Sequence, residues 1–140
     1  MKIRFVFFLV LLTLAMARMT AQTAGQPFKG RFYNAENRVY LTLDLYEATL
    51  EAPGLSFLGK LNGFMNGNIY GIWLLTKYDV KGNTATLRFS NDQGSDAQTI
   101  RLTALSDSLI LYKAVGSNDV RRVENRKLVK IPSEMEFRRK

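Results

Sequence analysis

The acids Asp44, Glu47, Glu51, Asp92, Asp96 and Asp107 are the side chains by which this chain could run a reaction. Two carboxylates at a suitable separation suffice for glycoside hydrolysis. They fall in turn-rich stretches and at outward strand positions, however, which is the pattern of solvated charge. Histidine and cysteine are both missing, and with them go the commonest general base, the imidazole and thiolate metal ligands and the serine-histidine triad. Asn91-Asp92-Gln93-Gly94-Ser95-Asp96 gathers oxygens as a calcium loop would, but it lacks the alternating ligands and closing glutamate of an EF-hand. No glycine run joins a strand to a helix as a phosphate loop does. These residues predict a protein that is not an enzyme and that uses no cofactor and no metal.

Binding is the chemistry left. Gly59, Gly63, Gly67 and Gly71 recur every fourth residue, and Lys60, Asn62, Asn66 and Asn68 exclude the membrane-helix motif that shares this spacing. On a strand, positions four apart share a face, so the ladder predicts either curvature or the wall of a ligand cavity. Beside it, Ile69 to Val80 is apolar on both faces. One face belongs to a core, and the other must be covered by a neighbouring segment, a ligand or a partner. Phe57, Phe64, Tyr70, Trp73 and Tyr78 form the candidate binding surface, because tyrosine and tryptophan combine apolar area with a hydrogen-bonding tip. A second candidate is the basic end, Arg138-Arg139-Lys140, which follows Arg121, Arg122, Arg126, Lys127 and Lys130 and suits an anionic surface or a protein partner.

The elements that would hold these residues are strands. Val39, Leu41, Leu43 and Leu45 alternate with Tyr40, Thr42, Asp44 and Tyr46, and the same period of two recurs over Thr84 to Ser90 and Gln98 to Leu105. Turn-forming clusters separate the runs, among them Asn34 to Asn37, Lys81-Gly82-Asn83 and Ser106-Asp107-Ser108. Short connections imply antiparallel neighbours. Roughly eight strands in one domain predict an all-β, single antiparallel up-and-down barrel, since closure removes the exposed edges that invite aggregation. Leu45 to Glu51 is the one stretch with helical character, ended by Pro53-Gly54. A membrane barrel would need a lipid-compatible outer face, and Asp44, Arg88 and Arg101 occupy outward positions instead.

Residues 1–21 read as a cleavable signal helix: Lys2 and Arg4, an apolar run over Phe5 to Leu14, and small residues at Ala15-Met16-Ala17 and Thr20-Ala21. The barrel domain is then 22–140, exported to the periplasm or secreted. Without cysteine it has no disulfide and no thiol for a lipid anchor. Removal of the segment lowers the formal charge of +8 by three, as Lys2, Arg4 and Arg18 leave, which weakens any nucleic-acid reading.

Phe28-Lys29-Gly30-Arg31-Phe32 resembles the Gly-x-Trp signature that opens calycin barrels, the lipocalins and fatty-acid-binding proteins, with Phe32 in place of Trp. Arg121 and Arg122 lie where a lipocalin's late arginine packs over the first strand. The resemblance implies a lipocalin-like barrel holding an apolar small molecule in its interior or at its mouth. The alternative is a protein–protein interaction module that docks onto an envelope or exported partner through the aromatic strand and basic end.

Overall fold

Alternation of apolar and polar residues produces ten short strands in the computed structural model, which describes residues 25–140. The signal segment expected over 1–21, and the expected start of the domain at 22, lie outside the described residues. The strands are β1 (Lys29–Asn34), β2 (Val39–Asp44), β3 (Gly63–Gly67), β4 (Trp73–Lys81), β5 (Thr84–Asn91), β6 (Ala97–Ala104), β7 (Leu109–Val115), β8 (Arg121–Glu124), β9 (Lys127–Lys130) and β10 (Glu134–Arg139). Eight of them close a barrel in the order β1-β2-β3-β4-β5-β6-β7-β10. All neighbours are antiparallel, so the chain runs up and down and departs from that path once, to form the separate hairpin β8–β9. Among the described residues there is no α-helix. Leu45 to Glu51, expected to have helical character, is bends and coil up to a bridge between Leu50 and Leu61, and a single 3-10 turn follows at Ser56–Leu58.

The inward positions fill the barrel. Phe32, Leu41, Leu43, Met65, Leu87, Phe89, Ile100, Leu102, Ile110, Tyr112 and Phe137 are all fully buried, each large apolar side chain contributing about 1.5–3 kcal/mol through burial. Phe28, just before β1, joins this cluster at one end of the barrel. Val120 and Ile131, which flank the β8–β9 hairpin, join it at the other.

Closure depends on side chains as much as on backbone. Strands β1 and β10 share only the pairs Phe32↔Arg139 and Tyr33↔Arg138. Where β10 runs out, the Arg139 guanidinium takes over: it donates to the carbonyls of Lys29 and Pro27, its Nε donates to the Asp107 carbonyl at 2.8 Å, and it stacks 4.7 Å from the Phe32 ring centre. Gly30 makes room for it. A Cβ at that position would collide with the guanidinium, and its φ of +144° is one that other residues resist. At the opposite end of the seam the Asn34 amide donates to the Glu136 carbonyl at 2.8 Å. The arginine that packs over β1 is Arg139, and Arg122, one of the two expected there, donates to Asn37 at 3.1 Å.

Candidate functional site

The second seam, between β3 and β4, is built differently. β4 is nine residues long, yet β3 pairs only with its start, through Phe64↔Leu74 and Met65↔Trp73. The rest of β4 is set by its hairpin with β5. The turn is Gly82-Asn83, with Gly82 at φ +61° and Lys81 facing Thr84. A two-residue turn makes its flanking pair a hydrogen-bonded one. Lys81, Asp79 and Lys77 thus turn their backbone groups toward β5, and Tyr78 and Val80 turn theirs away. Among the described residues no strand pairs with residues 76–81 on that side, and no backbone hydrogen bond of a turn or loop engages them. Thr76, Lys77, Tyr78 and Asp79 are exposed along this open edge.

A β-bulge between Leu75 and Lys77 explains the two apolar faces of this segment. The extra residue reverses the alternation. Trp73 and Leu75 face inward before the bulge, and Tyr78 and Val80 face inward after it, opposite Leu87 and Ala85. Tyr78 nevertheless stays 39% exposed, because β3 stops short of its flank.

The five aromatic residues singled out from sequence do not converge. Trp73 is in the core, and Phe64 is buried on the opposite face of β3 from Met65. Phe57 projects from the 3-10 turn at 80% exposure, Tyr70 sits in the β3–β4 loop at 54%, and Tyr78 lies on the open edge. The glycine ladder is not one strand face either. Gly59 ends the 3-10 turn, and the space over Gly63 is taken by Leu43 and Leu75. Gly67 lets the Arg38 carbonyl approach, and Gly71 packs against the Asp92 carboxylate.

The basic end is part of the barrel wall. Arg138 pairs with Tyr33, Arg139 clamps β1, and the Lys140 ammonium lies 4.5 Å from the ring centre of Tyr33, which stacks on Tyr40 at 4.4 Å. Beside this stack a groove of about 740 Å³ runs along the outer side of the β1–β10 seam. Tyr33, Asn37, Leu111, Glu134, Glu136 and Arg138 are among its walls, so its lining is mixed in charge.

Three buried polar groups stand out. Asp44, expected on the outward face, is buried, and burial alone would raise its carboxyl. The Thr49 hydroxyl at 2.6 Å, the backbone N–H groups of Glu47 and Tyr46, and the charge of Lys29 at 4.0 Å outweigh that and hold it below its ordinary 3.8. The carboxylate is thereby committed to shaping the chain after β2. The Tyr112 hydroxyl, whose pKa burial pushes up, has no hydrogen-bond partner among the described residues, and neither does the Trp73 indole N–H. The Asn91–Asp96 loop is a turn held by the Asn91 side chain, which accepts from the backbone of Ser95 and Asp96. No three acidic side chains gather into a metal-binding group among the described residues. No protein-family model, curated protein or solved structure matches the chain.

Proposed function

We propose that this is an exported, non-enzymatic docking module that takes an extended segment of an envelope or secreted partner along the open edge of β4. The observation that carries the reading is the pair of free backbone positions, Tyr78 and Val80, on a strand whose neighbour stops short. An extended segment added there would exchange main-chain hydrogen bonds with both residues, while Lys77, Asp79 and the flank of Tyr78 would select its side chains. The alternating charges of Lys77, Asp79 and Lys81 also limit indiscriminate pairing.

The other expectation, an apolar molecule inside the barrel or at its mouth, has less support: the inward positions are filled, and Phe28, Val120 and Ile131 pack at the two ends. The calycin reading gains support from the Arg139 clamp over Phe32, with Gly30 beneath it. On that reading the domain is a lipocalin-like barrel with its interior given over to packing. It works in the periplasm or as a secreted protein, free of a lipid anchor.

A photo-crosslinking residue placed at Lys77 in the exporting host tests the docking edge. It should yield a discrete adduct with one exported or envelope partner, and the same residue at Arg101, on the outer face of β6, should not. Equal labelling from both positions overturns the reading. Tyr112→Phe separates the two readings of the interior. In a dry core the loss of an unpartnered hydroxyl is neutral or stabilises by about 1 kcal/mol, whereas destabilisation would restore the interior ligand.

A further inference from the structure

The β8–β9 hairpin stands apart from the barrel sheet and is rooted firmly in it. Val120 and Ile131 at its base are buried in the core, the Arg121 carbonyl accepts from the Tyr70 N–H at 2.7 Å, and Gln98 bonds the approach through Ser117 and Asp119. Beyond that base, every residue of β9 is exposed. A two-stranded hairpin alone in water is marginally stable, so the anchoring at its base is what fixes its direction.

The register sorts its residues. Val123 faces Leu128 and Arg121 faces Lys130, which puts an aliphatic pair on the tip side of a pair of cations on one face. Val123 and Leu128 are 56% and 53% exposed. The other face carries Arg122, Val129, Lys127 and Glu124, the one acid in the hairpin, and Glu124 lies 3.4 Å from the Arg122 guanidinium. The negative charge is thus confined to the face away from Val123 and Leu128. At the tip, Asn125 and Arg126 both adopt left-handed backbone, with φ of +50° and +63°. Glycine fills the second of these positions at least cost, and the chain places a cation there instead.

We infer that the hairpin docks the protein onto an anionic lipid bilayer, Val123 and Leu128 entering the headgroup boundary while Arg121, Arg126, Lys127 and Lys130 meet lipid phosphates. Aliphatic side chains with Arg121 and Lys130 on their own face and Arg126 and Lys127 around the tip match that interface, where apolar burial and attraction to anionic lipid act together. A polyanion in solution would use the cations and leave Val123 and Leu128 idle. The anionic-surface contact expected of Arg138-Arg139-Lys140 thus moves to the hairpin, because Arg139 is spent on closing the barrel.

The absence of cysteine from the chain gives a site-specific probe. Leu128→Cys, labelled with an environment-sensitive dye in protein purified from the exporting host, should shift to an apolar signal on mixing with phosphatidylglycerol vesicles. It should not do so with phosphatidylcholine vesicles, and an Arg101→Cys label should stay unchanged with both. Replacing Arg126, Lys127 and Lys130 together by serine should weaken partitioning about 100-fold, and Val123→Ser with Leu128→Ser about 10-fold. Arg88→Ser with Arg101→Ser should leave it unaltered, and near-ultraviolet circular dichroism should confirm that each variant keeps its core. A silent dye at position 128 overturns the proposal. So does partitioning that survives both hairpin variants, or binding to heparin as strong as to the vesicles and indifferent to Val123 and Leu128.

Discussion

The two weak seams of the barrel have the same backbone and opposite fates. β1–β10 and β3–β4 are each held by two register pairs. At the first, side chains finish what the backbone leaves undone: Arg139 satisfies the carbonyls of Lys29 and Pro27, and the Asn34 amide satisfies that of Glu136. At the second, Tyr78 and Val80 point their main-chain groups outward with no strand beside them among the described residues. The number of ladder bonds therefore does not say whether a barrel is shut. What matters is whether side chains occupy the leftover donors and acceptors, since buried polar groups left unmade are costly and exposed ones recruit strands.

The largest effect should come from opening the closed seam. Arg139→Ala removes three carbonyl contacts and the stack on Phe32, and is expected to cost about 2–4 kcal/mol. Thermal unfolding should show it as a fall of roughly 10 °C, and Arg139→Lys should recover little because an ammonium lacks the planar fork. Gly30→Ala forces a side chain into the same clamp and should lose about 1–3 kcal/mol in urea unfolding.

Asp44→Asn comes next, at about 1–2 kcal/mol at neutral pH, since it weakens the acceptor that holds Thr49, Glu47 and Tyr46. The folded Asp44 carboxyl titrates below its ordinary 3.8. Its contribution is therefore complete above that value and is lost as pH falls through the lower, folded one. Acid titration of stability should accordingly steepen below pH 3.8 in the parent and flatten in the variant. Smallest in stability is the open seam: Lys77→Ala and Asp79→Ala should each stay within about 0.5 kcal/mol of the parent, while both reduce partner crosslinking from β4.

Much of this barrel was legible in the sequence. The period of two over Arg38 to Tyr46, Thr84 to Ser90 and Gln98 to Leu105 reports inward and outward faces directly, and short turns between them leave little choice but antiparallel pairing. Four features escaped for physical reasons. Alternation marks β8 and β9 as strands but is silent on which sheet they join, so Arg121 and Arg122 were expected over the first strand and Arg139 in a basic end available to a partner. The bulge at Leu75–Lys77 inverts the faces within one segment, which makes a single buried face read as two. The glycine ladder crosses from a 3-10 turn through β3 into a loop, so its spacing of four was never the spacing of one surface. Asp44 looked solvated because an outward strand position is ordinarily wet, and only the fold of residues 46–49 around it makes it buried.

The contrast between the seams is tested most directly by amide hydrogen exchange measured residue by residue in the free protein. Within β4, Asp79 and Lys81 should be protected through β5, while Tyr78 and Val80 should exchange at least about 100-fold faster. Tyr33 and Arg138 on the closed seam should be as slow as Asp79. Equal protection of all four β4 amides would mean that this edge is already covered within the molecule, and the docking account would fail.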